Sequence, residues 1–346
     1  MKYMKKDLLK AFEAVRPGLA PKEIEEQFQH FLFTGTDLIT YRGNICIHYP
    51  FETDFFCSVK AKEIIKQISK DSTQDYVEIV LEGDILRIFN KKQKTNVATH
   101  QGEAIIKSIE EIQSQMGDWQ TAPEDFLNGL FLCMFSTTKD ETLGRLTCLR
   151  CEGNEVYSSD SVRGSKYRMK GNVTEKGDHF LIKASVVRYL NLFKVSEFCR
   201  SKGWIHFKTP QNAVFSTSLI EGDIPQSSFL NVGTVGTCIK LAGKEAEIME
   251  DLDALTEVSA GEMEYDKTTI VTITKNLWSM YGIKEGINST RDTEIEYDGK
   301  DITFGINPSF LLQVLKTATT LYVSDYIFLQ SGPFDHILAL KDCLER

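Results

Sequence analysis

Apolar positions along this chain switch abruptly between two spacings. In "DFFCSVKAKEIIKQISK", from Asp54, an alternating stretch passes straight into residues whose apolar positions recur every three or four. Alternation is the period of a strand with one buried face, and the longer spacing is that of an amphipathic helix. The same passage recurs in "DHFLIKASVVRYLNLFK" from Asp178 and in "DITFGINPSFLLQVLKT" from Asp301. In each, an aliphatic pair (Ile64-Ile65, Val186-Val187, Leu311-Leu312) precedes a further apolar residue, Ile68, Leu190 or Leu315. The three strand-to-helix passages lie roughly 120 residues apart, so internal repetition has to be considered before anything else.

The flanks repeat as well. A predicted hairpin follows each helix, turning at Glu82-Gly83-Asp84, at Pro210-Gln211-Asn212 and at Ser331-Gly332-Pro333. A predicted helix opens each copy. In "KKDLLKAFEAV" Leu8, Phe12 and Val15 share a face, and "PEDFLNGLFLCMF" begins with a proline and two acids, as helix starts prefer. "TCIKLAGKEAEIMEDL" supplies the third. The strand ending "VFSTSLIEGDIPQ" has a weaker echo in "TNVATHQGEAI", where Gly102-Glu103 stands in the place of Gly222-Asp223. Gly102 to Pro123 and Gly222 to Gly236 then read as connectors. The expected organisation is α+β, with three repeated units of two helices backed by antiparallel strands, over 1–120, 121–231 and 232–346.

A chain of 346 residues suits two or three such units, and 42% hydrophobic against 26% charged residues is globular usage with enough apolar material for a core. No apolar run approaches the roughly 20 residues of a membrane span. The N-terminal lysines lead into an amphipathic pattern, so neither a secretory signal nor a membrane partner is expected. Eight cysteines are then expected to stay reduced, in a cytoplasmic location. The net charge of −9 argues against nucleic acid held over the whole surface, but not against a basic surface confined to one place.

Candidate chemistry is sparse. "CLRC", Cys148 to Cys151, has half a zinc spacing but no second pair, and an offset of three in a strand points side chains to opposite faces. "GTVG" near Gly233 lacks the lysine and preceding strand of a phosphate loop. The six histidines are scattered, and no acid pair stands out, so no catalytic residue, metal or cofactor is expected. The lysines do form a pattern. Lys62, Lys66 and Lys70 run i, i+4, i+8 on the helix face away from Ile64 and Ile68. Lys6 and Lys10 repeat this in the first helix, as do Lys240 and Lys244 in the third unit, and Lys183, Arg188 and Lys194 mark the second less regularly. One such stripe is ordinary solvated surface; recurrence on equivalent helices of an acidic chain points to a surface facing a polyanion.

Order and period together, with "LEGDILRI", "SLIEGDIP" and "NPSFLLQVLKT", resemble the beta subunit of bacterial DNA polymerase III, the sliding clamp, along nearly the whole chain. That resemblance implies the DNA-clamp fold, with two chains closing head to tail into a ring whose helices line the hole. It implies double-stranded DNA as a sequence-independent partner, and a replicative DNA polymerase and a clamp loader as protein partners. It also implies an apolar pocket between the second and third units for a peptide bearing glutamine, leucine and phenylalanine. The family's Thr-Asp-Gly-His-Arg-Leu is matched here by "SDSVRG": Ser159 and Asp160 suit and Arg163 is kept, while Ser161, Val162 and Gly164 depart. Leu143 matches a leucine on the preceding strand, Pro225 the proline of the pocket wall with Phe229 and Leu230 beyond it, and Leu338 falls in the closing run. Two other functions stay open from the residues alone: a clamp-like scaffold for repair or phage factors, and a hydrolase or nuclease with an unrecognised site.

Overall fold

The computed structural model describes residues 1–21, 26–70, 75–91, 94–100, 102–224, 233–259, 261 and 265–342. Among these the elements follow an order that repeats. A strand and a helix, β1 (Lys2–Met4) and α1 (Lys5–Val15), precede a meander of β2 (His30–Phe33), β3 (Asp37–Tyr41) and β4 (Ile45–Pro50). A strand then runs directly into a helix, β5 (Cys57–Lys60) and α2 (Ala61–Lys70). A second meander follows: β6 (Tyr76–Glu82), β7 (Ile85–Phe89) and β8 (Lys94–Ala98). After one additional helix, α3 (Glu103–Ser114), the order restarts with β9 (Gln120–Thr121), α4 (Phe126–Met134), β10 (Cys148–Glu152), β11 (Glu155–Ser159) and β12 (Arg163–Arg168). It continues through β13 (His179–Lys183), α5 (Ala184–Leu190), β14 (Glu197–Ser201), β15 (Trp204–Lys208) and β16 (Val214–Ser218). The third round opens with β17 (Thr237–Lys240), α6 (Glu245–Val258), β18 (Thr269–Thr274), β19 (Leu277–Lys284) and β20 (Ile287–Glu294). It closes with β21 (Ile302–Ile306), α7 (Pro308–Leu315), β22 (Thr320–Val323), β23 (Tyr326–Ser331) and β24 (Phe334–Ala339).

These elements form two compact units. The first comprises Met1–Ala122 and Ser185–Glu221, the second Pro123–Ala184 and Gly222–Arg346. The first holds an eight-stranded sheet, β5-β2-β3-β4-β16-β15-β14-β9, and a four-stranded one, β1-β6-β7-β8. The second holds β13-β10-β11-β12-β24-β23-β22-β17 and β20-β19-β18-β21. The two large sheets share one plan: the first meander of one round meets the second meander of the next along an antiparallel seam. That seam is β4–β16 in the first unit and β12–β24 in the second. In the small sheets the strands holding the seam position, β8 and β20, are edges.

Packing explains why the predicted passages form. Ile64, Val186 and Leu311 are buried in α2, α5 and α7, as are Ile68, Leu190 and Leu315 one turn on. In α1, Leu8, Phe12 and Val15 are buried, and the Phe12 ring stacks on Phe31 with centroids 4.6 Å apart. In α4 a Cβ at Gly129 would stand 2.9 Å from Tyr167, so only glycine lets this helix lie so close to its sheet. Cys148 and Cys151 are both buried in β10, one on each face, consistent with packing rather than ligation. No described helix is long and apolar enough to cross a membrane.

Two expectations are corrected. Gly102 to Pro123 is not a plain connector: α3 fills much of it, with Ile105, Ile109 and Ile112 buried at helical spacing. "TCIKLAGKEAEIMEDL" is not one helix. Its start pairs as β17, and the chain turns through Ala242 (φ 50°) and Gly243 (φ 86°), which a right-handed helix cannot contain, before α6 begins.

Candidate functional site

The second unit carries an apolar cleft of about 370 Å³ on the outer face of its large sheet, next to the β12–β24 seam. Its walls include Leu146, Val162, Ile224, Tyr326, Ile337 and Ala339, with Ser159, Ser161, Arg163 and Asp325 supplying the polar margin. The β11–β12 turn shapes one side. Asp160 Oδ1 accepts from the backbone N–H of Val162 (3.2 Å) and of Arg163 (3.1 Å), and Ser159 Oγ donates to the Arg163 carbonyl at 2.9 Å. Ser161 takes the positive φ of 76° that this tight turn demands.

Arg163 is held from three directions. Its Nε donates to Asp160 Oδ2 at 2.8 Å, its Nη1 donates to Gln313 Oε1 at 2.7 Å, and its guanidinium lies 3.7 Å from the Phe310 ring centre. A buried charge costs several kcal/mol unless it is paired this completely. Arg163 therefore acts as a fixed wall. Behind the seam, on the opposite face of β24, His336 hydrogen-bonds to Ser165 Oγ at 2.8 Å. Burial holds this imidazole well below its ordinary pKa, and the Arg163 charge pushes the same way, so it stays neutral.

The strand ending in "SLIEGDIP" supplies another side. Gly222 adopts φ 111°, and a Cβ there would stand 2.8 Å from the Arg145 side chain. Arg145 Nη1 donates to the Asp223 carbonyl at 3.0 Å, and the Asp223 carboxylate pairs with Arg150. This tie delivers Ile224, 1% exposed, to the cleft.

Of the peptide-site residues expected from sequence, Ser159, Val162 and Arg163 line the cleft, and Asp160 orients Arg163. Three others take different places. Leu338 is 1% exposed and belongs to the core on the far face of β24, because neighbours in a strand point to opposite sides; Ile337 and Ala339 line the cleft instead. Leu143 stays 50% exposed: Gly144, at φ 52° and ψ −103°, breaks the short helical run that would have stacked it over Leu146. Gly164 is paired with Ile337 in the sheet and contributes backbone only. Pro225, Phe229 and Leu230 lie outside the described residues. The residues missed by sequence were Leu146, Ile224, Asp325, Tyr326, Ile337 and Ala339; alternation about Leu338 was the signal for two of them.

The cations separate into two groups. In the first unit α1 and α2 pack side by side, with Lys6 and Lys10 exposed on one and Lys62 and Lys66 on the other, and Lys70 ends α2. Arg188 on α5 is exposed and donates to the Tyr189 hydroxyl at 2.9 Å, and Lys194 is exposed beyond that helix. Lys183 sits on a strand, 2.7 Å from Glu141. The helical stripe expected for Lys240 and Lys244 is absent. Lys240 lies on β17, and Lys244 caps α6 with its ammonium 2.9 Å from Glu247. Helix α6 itself carries Glu245, Glu247, Glu250, Asp251, Asp253 and Glu257 and no lysine or arginine. Among the described residues no group of three histidine, cysteine or acidic side chains is placed to hold a metal.

No protein-family model and no curated protein matches the chain. Solved structures do. The beta subunit of a Streptococcus pyogenes DNA polymerase matches with a TM-score of 0.84 at 16% identity, over 99% of each chain. A Pseudomonas aeruginosa sliding clamp, DNA polymerase III subunit beta, gives 0.83 at 13% over 99% of each chain. The DNA polymerase III beta subunit of Thermotoga maritima gives 0.79 at 14%, also over 99% of each. Along its whole length, this chain has the fold of the DNA polymerase III beta subunits.

Proposed function

We propose that the protein is a DNA sliding clamp: a ring of two chains that encircles duplex DNA and tethers a replicative polymerase to it, performing no chemistry itself. The observation that carries this reading is the thrice-repeated order of elements ending in two half-sheets. Two seams, β4–β16 and β12–β24, are satisfied within the chain, whereas the seam strands β8 and β20 are left as edges. Edge strands of this kind invite pairing, and β20 of one chain against β8 of a second would restore the same seam. Two such junctions close a ring of six repeats, from units near 1–120, 121–231 and 232–346.

Lys6, Lys10, Lys62, Lys66 and Lys70 would meet the phosphate backbone without reading base edges, and Arg188 and Lys194 would add to that contact. A ring held by topology needs no tight grip, which suits a chain of net charge −9. The cleft would take a short peptide of the polymerase and of the clamp loader. Burying a leucine and an aromatic ring there contributes about 3–6 kcal/mol before ordering costs, which suits exchangeable partners.

The test is retention on DNA. Loaded by its cognate loader onto a nicked circular duplex, the protein should co-elute with the circle through gel filtration and be released when the circle is cut. Equal retention on cut and uncut DNA, or equal loss from both, would contradict the proposal.

A further inference from the structure

The first unit contains a copy of the surface that forms the cleft, and α3 lies on it. Strand registers make the correspondence. In the second unit Ser159 pairs with Gly164, Gly164 with Ile337, and Ala339 with Tyr326. In the first, Tyr41 pairs with Cys46, Cys46 with Ser216, and Ser218 with Trp204. Both hairpins close through a four-residue turn (42–45 and 160–163), so Tyr41 stands for Ser159, Cys46 for Gly164 and Trp204 for Tyr326. The reverse faces agree: α1 packs behind the first sheet and α4 behind the second.

Helix α3 covers this face. Ile105, Ile109 and Ile112 cluster with Leu32, Ile39 and Cys46, and Tyr41 and Trp204 pack against the same cluster. Gln113 Nε2 lies 3.1 Å from His48 Nδ1, fixing the end of the helix over the seam strand. Among the described residues no other helix takes this place in the repeating order, and without it the face bearing Phe28, Tyr41, Cys46 and Trp204, built on the same strand positions as the cleft, would be bare.

We propose that α3 is an intrachain plug that occupies the first unit's copy of the partner cleft, so that each chain offers one peptide site instead of two. This rests on the reading of the second-unit cleft as a partner site. The plug sets valency: a clamp chain with both clefts open would hold two partners, and this one holds a single partner because its own helix fills the other place.

Two full-length variants test it, one with Ile105→Ser, Ile109→Ser and Ile112→Ser, the other with residues 103–116 replaced by a glycine-serine linker. Maleimide labelling of Cys46, mapped by mass spectrometry, reports whether the face is bare. Titration of a fluorescent peptide bearing glutamine, leucine and phenylalanine reports sites per chain. Wild type should leave Cys46 unlabelled and bind one peptide; the variants should label Cys46 and bind two. Adding Trp204→Ala to the linker variant should remove the second site and leave the first. One peptide per chain with Cys46 labelled would overturn the plug while leaving the second-unit cleft intact. No peptide on wild type would overturn the cleft reading, and the plug with it.

Discussion

The outer faces of the two large sheets are built on one strand plan and finished in different ways. In the first unit the seam face carries Ile39, Tyr41 and Cys46, and α3 lies over them. In the second unit the corresponding face is charged around a small apolar centre of Tyr157, Tyr326 and Ile337. Those charges are satisfied locally: Arg150 by Glu152 and Asp223, Arg168 by Asp335. An apolar surface as wide as that of the first unit must be covered to be stable in water. A narrow one ringed by paired charges can stay open and wait for a ligand. The comparison teaches that whether a repeated surface stays open to solvent depends on what the chain itself lays across it.

The largest expected difference between the units is in acid. Burial pulls the pKa of His30, His48 and His206 down to about 4, with the His100 charge adding to the effect on His30 and the His48 charge to that on His206. A buried imidazole whose folded pKa lies below its unfolded value leaves the unfolded chain binding more protons between the two. Its stabilisation is full above about pH 6.5 and lost as pH falls toward 4, on the order of 3 kcal/mol for each. The first unit holds these three against His336 alone in the second, so amides of β3, β4, β15 and β16 should lose hydrogen-exchange protection at higher pH than those of β18, β19 and β23. Simultaneous loss, or the reverse order, would break this contrast.

Next comes a pair of neighbours in the second unit. Leu338→Ala should cost about 2–5 kcal/mol of stability, because it hollows the core, while leaving peptide affinity in the folded fraction unchanged. Ala339→Trp should do the opposite, filling the cleft and weakening peptide binding at least about 100-fold, roughly 2.7 kcal/mol, with a small shift in melting temperature. Calorimetric melts beside peptide titrations separate the two; matching effects would place Leu338 in the cleft after all. Smaller again, Lys62→Glu with Lys66→Glu should shorten retention on circular DNA several-fold and leave folding intact, because both side chains are exposed. Lys244→Ala should leave the melting temperature essentially unchanged, since its pair with Glu247 is solvated.

Much of the fold was legible because the switch from alternating to helical spacing is a property of neighbouring residues. The three strand-to-helix passages and the three hairpin turns stand where Asp54, Asp178, Asp301 and the glycine-containing or proline-containing turns put them. The site was less legible because it depends on pairing. Ile337 and Leu338 are equally apolar, and only the register that sets Ile337 opposite Gly164 and Ala339 opposite Tyr326 decides which one faces the cleft. Gly144 diverts Leu143 through a backbone angle that spacing does not reveal. Helix α3 was hidden by its position in an expected connector, although four isoleucines at 105, 106, 109 and 112 carried the helical period. Likewise the lysine spacing at 240 and 244 matched a helix, yet the positive φ at Ala242 and Gly243 lies between them.

The helices extend the comparison to charge. Exposed lysines sit on α1 and α2 in the first unit, whereas α6 in the second presents six acids and no base. In the proposed ring these helices would present an uneven surface to the duplex, and that ring is the claim on which everything else depends. It is tested most directly by bridging the free edges. With Cys238→Ser and Cys343→Ser as background, Asn96→Cys on β8 and Thr290→Cys on β20 are joined with a flexible bis-maleimide, and the products are sized under denaturing conditions. A ring of two chains predicts one dominant product of two chains, doubly bridged and no larger. A ladder of longer products, or bridging only within single chains, would contradict it.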